Sequence, residues 1–454
     1  NKNVSYTVLD KNIESTYAVR SSARLTKSLY DSYIRAIRWA TDRVGDAGII
    51  GFVTNAGFLE SNSADGLRKC LADEFSSLYI FHLRGNQRTS GETSRKEGGK
   101  IFGSGSRAPI AISILVKNPD AQACGQIYFH DIGDYLSREQ KLEKIADYAS
   151  VQGIEQWQKI VPDEHGDWLN QRDNSFSDHI VLGDKGKSEA SIFSEYSSGV
   201  KTNRDAWCYN YSDISLAENI KRMIENYNCE VDRFSGDKKN ATLAIDRNPE
   251  SISWSDDLVS ELVKGRKLEF NERAIVPALY RPFSKCWLYF DKKLNNSIYK
   301  IPVIYPASSV ENLTICIPGK GGDKGFSALI SNLPHDLNLA PGMGGYQGFP
   351  LYLYDGAARA SKNDLFDEPI EGDMRRRDAI TDVGLAHFQA AYPGEQISKE
   401  DLFYYVYGIL HSRDYRELYA DNLSKELPRI PAVKKGTDFW AFSKAGRALA
   451  DLHL

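Results

Sequence analysis

The stretch from Arg84 to Arg107 holds six basic residues (Arg84, Arg88, Arg95, Lys96, Lys100 and Arg107) and six glycines against two acids, Glu92 and Glu97. Guanidinium and ammonium groups beside glycine-exposed backbone N–H groups suit phosphate oxygens. A hydrophilic segment this long between two apolar runs is costly to order, so it is either functional or a solvated flexible loop. The functional reading is a clamp on a DNA backbone. Phe102, next to Ile101, is the bulky aromatic of its glycine-rich half. An aromatic there can grip a base pulled out of the stack, as base-modifying enzymes require. It can equally anchor the loop to the core.

A second basic cluster runs from Lys264 to Lys300, with nine Lys/Arg against Glu269, Glu272 and Asp291. Its centre, Tyr280-Arg-Pro-Phe-Ser-Lys-Cys-Trp-Leu-Tyr-Phe290, interleaves cations with aromatics, a pattern of nucleic-acid surfaces. Arg281, Lys285, Lys292 and Lys293 are its candidate DNA contacts, while Trp287 and Tyr289 read better as core. The donor-rich turn Lys201-Thr202-Asn203-Arg204 suits phosphates or base edges, or is a plain hydrogen-bonded turn. Gly319 to Gly325 lacks the Gly-Lys-Ser/Thr ending of a nucleotide P-loop, although Lys320 and Lys324 can touch phosphate. Gly103-Ser-Gly-Ser106 precedes Pro109 and a strand rather than a helix, so it is no cofactor loop either.

The rest of the composition excludes several classes. The chain has 454 residues, 41% hydrophobic and 26% charged, which fits two or three globular domains. Six scattered cysteines form no C-x-x-C pair, which argues against structural zinc and for a reducing, cytoplasmic setting. No metal site is expected. The histidines show no H-E-x-x-H spacing, and His165, His335 and Asp336 read as structural. A net charge of −4 excludes a uniformly basic nucleic-acid binder, so local patches must carry any DNA affinity. No run approaches the ~20 apolar residues of a membrane span.

These residues must be positioned by regular elements. Residues 1–25 read as a polar surface loop. Ser28 to Val44 has helical period, with Ser28 as cap and Gly45 as stop. Ile49–Thr54, Leu78–Leu83 and Ala111–Val116 read as strands, with an amphipathic helix over Ser63–Phe75. The unbroken apolar run of the first strand suggests a parallel sheet covered on both faces. The expected fold class is therefore α/β, the closing part of a doubly wound sheet, with missing strands upstream. A connector with a strand at Gln126–Phe129 and a helix around Leu136–Tyr148 leads to a mixed α+β region. Helical pattern returns from Ser398 onward, broken by Pro428 and Pro431. The expected domains are 1–165, 166–360 and a helical 361–454.

Two sets of segments carry a resemblance. Gly48-Ile-Ile-Gly-Phe-Val-Thr-Asn-Ala-Gly-Phe-Leu59, Leu67-Arg68 and Phe81-His-Leu-Arg-Gly-Asn-Gln-Arg-Thr-Ser-Gly91 resemble a γ-class N6-adenine DNA methyltransferase. Asp167-Trp-Leu-Asn-Gln-Arg-Asp173, Gly199-Val-Lys-Thr-Asn-Arg-Asp205, Tyr280-Arg-Pro-Phe283, Tyr407-Gly-Ile-Leu-His411 and Leu427-Pro-Arg-Ile-Pro431 resemble a C-terminal specificity domain. Together they are similar to Type ISP single-polypeptide restriction–modification enzymes. The resemblance implies that one polypeptide also carries nuclease, ATPase and coupler portions upstream. It implies that Phe102 belongs to a flipped-adenine pocket and that sequence reading lies in residues ~166–454. No Pro-Pro pair occurs, so the Asn-Pro-Pro-Tyr cradle and the S-adenosylmethionine loop are expected upstream of Asn1. ATP and Mg are expected to act only through upstream domains.

The expected function is recognition of double-stranded DNA and presentation of adenine for N6 methylation in the intact enzyme, with no catalytic residue in this chain. The alternative is a non-catalytic DNA-specificity module serving a separate methyltransferase or nuclease chain. A carbohydrate- or nucleotide-binding scaffold would instead show no salt-dependent affinity for DNA.

Overall fold

In a computed structural model the described residues are 4–23, 26–103, 105–234, 244–320, 325–340, 344–355 and 375–454. The chain divides into two compact units, 1–172 and 173–454. Among the described residues, no helix is long and apolar enough to cross a membrane.

The first unit is built on one mixed sheet of β1 (Gly48–Asn55), β2 (Ser77–Arg84), β3 (Ile110–Lys117), β4 (Gln126–Asp131) and β5 (Gln158–Ile160), in the order β1-β3-β2-β4-β5. β3 runs antiparallel between β1 and β2, from Gly48↔Lys117 to Asn55↔Ile110 on one side and from Ser77↔Val116 on the other. β2 pairs in parallel with β4. The expected all-parallel surroundings of β1 are therefore corrected: β1 is an edge strand with Ile49 and Val53 exposed. An apolar run shows burial tendency but not partner direction. The connector also joins the same sheet as β4 and β5 rather than standing apart.

Strand alternation divides this unit's core. Leu78 and Ile80 face a large cluster with Ile34, Phe58, Leu67 and Phe75. Phe81 and Leu83 face a smaller one with Ile101, Ile110 and Ile132. The N-terminal segment is not a loop. It forms α1 (Thr7–Ile13) and a further turn through Ala18, burying Ile13 and Tyr17 completely. α2 (Ser32–Thr41) starts at Asp31 rather than Ser28, because Asp31 has extended backbone and its carboxylate accepts from the Ser32 N–H. α3 (Asp65–Glu74) carries the fully buried Arg68, which donates to Asp167 at 2.6 Å and to the carbonyls of Phe58, Ser61 and Gly166.

Among the described residues the second unit holds four small sheets around one core that draws on residues before 360 and after 378 alike. The Asp213–Arg233 helix, capped by Ser212, buries Leu216, Ile220, Met223 and Tyr227 along one face. The Lys399–His411 and Gly436–His453 helices approach closely at Gly446, where a Cβ would lie 2.0 Å from the Tyr404 carbonyl. Three phenols pin the proline-interrupted segment after them: Tyr415 donates to the Arg429 carbonyl at 2.8 Å, Tyr405 to Pro431 at 2.6 Å and Tyr392 to Val433 at 2.7 Å.

Candidate nucleic-acid interface

In the first unit, the segment after β2 is ordered by its own backbone. It contains α4 (Gly91–Glu97), a helix that Gly91 and the following Gly98 and Gly99 concealed in the sequence. The Gly85 N–H donates to the Glu97 carbonyl, the Asn86 N–H to the Glu97 carboxylate at 2.8 Å, and the Gln87 N–H to the Arg107 carbonyl at 3.0 Å. Arg88, Arg95, Lys96 and Arg107 are exposed along this fold, and Lys100 is half-buried. Arg95 meets Glu92 at 3.1 Å with both side chains mostly in solvent, an attachment that competes weakly with a phosphate. Arg84 is different. It lies with Asp131 at 2.7 Å and beside Asp134, so its charge serves the end of the sheet. Burial opposes ionisation of Asp131, yet bonds from His82, Arg84 and the Gly133 N–H hold its carboxyl down at about 2.

Phe102 stands at the end of an arm. Gly98 and Gly99 lie against the backbone of Leu136–Arg138, where a Cβ on Gly99 would be 2.4 Å from the Arg138 nitrogen. The Gly99 N–H donates to the Leu136 carbonyl at 2.9 Å. Next comes α5 (Arg138–Tyr148), whose Lys141 donates to the carbonyls of Glu97 at 2.7 Å and Gly99 at 2.8 Å. Arg138 donates to the Ile101 carbonyl at 2.9 Å. Ile101 is buried and anchors the arm, whereas Phe102 is 46% exposed. Burial pushes the Lys141 ammonium down to about 8. Lys141 and Arg138 were not read as site residues, although Arg138, Lys141 and Lys144 recur every third position on a helix, which marks one face.

In the second unit the 198–205 turn sorts its donors by burial. The Val200 N–H donates to the His335 carbonyl, and Lys201 exchanges backbone bonds with Ser297. Thr202 is buried, with its hydroxyl donating to Asp205 and accepting from the Arg204 N–H. Arg204 is buried too. It donates to the carbonyls of Ser253 and Leu294 and to the Ser255 hydroxyl. Those bonds use its guanidinium to fix the turn, so the expectation that Arg204 meets DNA has no exposed donor behind it. Asn203 (φ 57°) is exposed and Lys201 half-buried.

Lys201, Thr202, Asn203, Asp205, Asp336 and Asn338 line a polar cavity of about 290 Å³. Beside it ends the Ile275–Arg281 strand, paired with Ser284–Tyr289 in a hairpin whose turn exposes Phe283. Arg281 donates to Asp336 at 2.9 Å, approaches Asp205 at 3.7 Å and lies 3.7 Å over the Tyr280 ring. Burial, aided by Asp205, raises the Asp336 carboxyl to about 6 against the pull of the Asn338 N–H and Arg281. Asp336 was expected to be structural, and nothing local in its sequence places it here. Its neighbour His335 is fully buried, which lowers its pKa to about 4. Lys285, Lys292, Lys293 and Lys320 are exposed but lie outside the cavity lining, and Lys285 reaches the Leu454 carbonyl oxygen. Lys324 lies outside the described residues. Trp287 and Tyr289 pack with the core, as their spacing suggested.

Among the described residues, no three His, Cys, Asp or Glu side chains group as metal ligands. The family model for the Type ISP C-terminal specificity domain matches residues 191–454. The chain belongs to the Type ISP specificity-domain family. Solved structures extend the likeness to the full chain. A nuclease-deletion mutant of the Type ISP restriction–modification enzyme LlaGI, in complex with a DNA substrate mimic, is 41% identical with a TM-score of 0.82, over 100% of this chain and 34% of that one. The ATP-dependent Type ISP restriction–modification enzyme LlaBIII bound to DNA is 34% identical with a TM-score of 0.84, over 100% of this chain and 28% of that one. A DrdV–DNA complex is 32% identical with a TM-score of 0.83, over 100% of this chain and 42% of that one. The chain thus spans less than half the length of these proteins. Among curated proteins no match was found.

Proposed function

We propose that this chain recognises a double-stranded DNA site and presents an adenine within it for N6 methylation in a Type ISP restriction–modification enzyme. The first unit is then the closing part of the methyltransferase sheet. The antiparallel insertion of β3 between β1 and β2, and the edge that β1 leaves for further strands, support that assignment. The second unit is the target reader. S-adenosylmethionine belongs to other portions of that polypeptide, as do ATP and Mg. The 103–109 segment does not fit the methyl donor, because it leads into β3 and not into a helix.

The observation that carries the reading is the exposed Phe102 on an arm held by Lys141 and Arg138, next to the cations of α4. A ring presented in this way suits the holding of a flipped base, a task that a module reading sequence alone does not have. A flipped purine needs a flat partner to offset the stacking it loses. The test uses the intact polypeptide. A duplex is selected from a random pool, its methylated adenine is mapped, and that adenine is replaced by 2-aminopurine. The wild type should raise the fluorescence on binding, and Phe102→Ala should lose most of the rise while still binding. An undiminished rise in the variant removes Phe102 from the pocket, and absence of any methylated adenine removes the function.

A further inference from the structure

Beside the cavity in the second unit, Asp336, which lines it, helps to hold Arg281 in a manner that phosphate binding does not call for. Both N–H groups of its Nη1 are used, one on Asp336 at 2.9 Å and one on its neighbour's carbonyl, Tyr280, at 2.6 Å. The plane of the guanidinium is set by stacking on the Tyr280 ring at 3.7 Å. Nη2 leans towards Asp205 at 3.7 Å, beyond hydrogen-bond reach. Among the described residues no group accepts a hydrogen bond from Nε or Nη2. That edge carries two parallel N–H donors in a fixed plane, and the side chain is 35% exposed.

Charge decides what such an edge can serve. Asp336, 2% exposed, and Asp205 face the guanidinium and offset its charge, and Lys201 is the cation of the neighbouring cavity lining. A phosphate is attracted by uncompensated positive charge and displaces counterions to reach it. It gains little here and meets two carboxylates. A neutral base edge with two acceptors asks only for geometry, and the guanine O6/N7 pair fits the parallel donors of arginine in the major groove. The amino groups of cytosine and adenine are donors and find no acceptor on Arg281.

We infer that Arg281, oriented by Asp336 and Tyr280, reads the major-groove edge of one guanine in the recognised site. This rests on the DNA-reading function proposed above. The half-buried Lys201 and the exposed Asn203 then border the same contact.

The test uses the intact polypeptide and the duplex it selects from a random pool. Affinities are measured for that duplex, for versions with each guanine pair replaced in turn, and over a salt series. In the wild type, one guanine position should cost about 5- to 150-fold on replacement. In Arg281→Lys, which keeps the charge but loses the planar fork, that penalty should collapse towards one while the salt dependence stays as in the wild type. Wild-type protein with 7-deazaguanine at the same position lacks the N7 acceptor, and weaker binding there is expected even if the variant does not fold. Uniform weakening of Arg281→Lys on every duplex, retention of all base preferences, or indifference to 7-deazaguanine at every guanine overturns the inference. A wild type without any sequence preference overturns the function it rests on instead.

Discussion

Lys141 ties down the arm that carries Phe102, and Lys141→Met keeps most of its stem while deleting the tie. Two hydrogen bonds from a charged donor are lost, at 2.7 and 2.8 Å in the native protein. Such bonds contribute about 1.5–3 kcal/mol each, hence about 3–6 kcal/mol for the pair. Burying the ammonium is unfavourable, as its depressed pKa shows, and Met removes that penalty. The arm should therefore lose about 2–4 kcal/mol, which opens it roughly 30- to 800-fold more often. Hydrogen exchange reads this directly at the Gly99 amide, bonded to Leu136, and the Tyr135 amide, bonded to Lys96. Amides in β2 serve as the internal reference. The pH dependence follows from the same group. Its folded pKa of about 8 lies below the unfolded value of 10.5, so the unfolded segment binds more protons in that window. Wild-type stability thus gains with rising pH between about 8 and 10.5, and the variant lacks that gain. Wild-type exchange rates at Gly99 and Tyr135 in Lys141→Met would refute the reasoning.

Three further outcomes are expected. Replacing Arg88, Arg95 and Lys96 together by Ala should weaken binding to all duplexes alike and make the salt slope shallower by up to about 2.7, from ~0.9 per phosphate. An unchanged salt titration would remove α4 from the interface. Arg68→Met should cost the first unit about 3–5 kcal/mol in urea, because the buried Asp167 loses its closer arginine partner and keeps Arg172 at 3.4 Å. Adding Asp167→Asn should restore part of it, and a single-variant loss below ~1 kcal/mol would contradict the ion-pair account. For Asp336 the folded pKa of about 6 exceeds the unfolded 3.8, so the folded state binds more protons between them. Stability should fall as pH rises through that window, and Asp336→Asn should abolish this component in pH-dependent melts.

Much of the scaffold was legible because burial leaves periodic marks. Leu78–Leu83 and Ala111–Val116 alternate or run apolar, and both are strands of the first sheet. Ser398 announced the capping box of the Lys399–His411 helix. What failed was information carried by partners distant in sequence. The direction of β1 is set by β3, some sixty residues later. The N-terminal helix rests on two buried side chains, Ile13 and Tyr17, too few to show a period. In the 201–204 turn, composition marked all four residues as donors. Only the fold shows that Thr202 and Arg204 turn inward while Lys201 is half-buried and Asn203 stays outside. Asp336 entered the cavity through the 279–281 and 200–201 backbones that flank it, a tertiary arrangement without a local signature.

The tyrosine bonds to the Arg429, Pro431 and Val433 carbonyls separate upkeep from meaning. They secure the frame of the second unit far along the chain from the loops at 198–205, 280–281 and 336–338. Point changes on those loops leave the phenol staples untouched. On the function proposed above, substitutions at the exposed positions of those loops can exchange one target word for another while the frame beneath them stays folded.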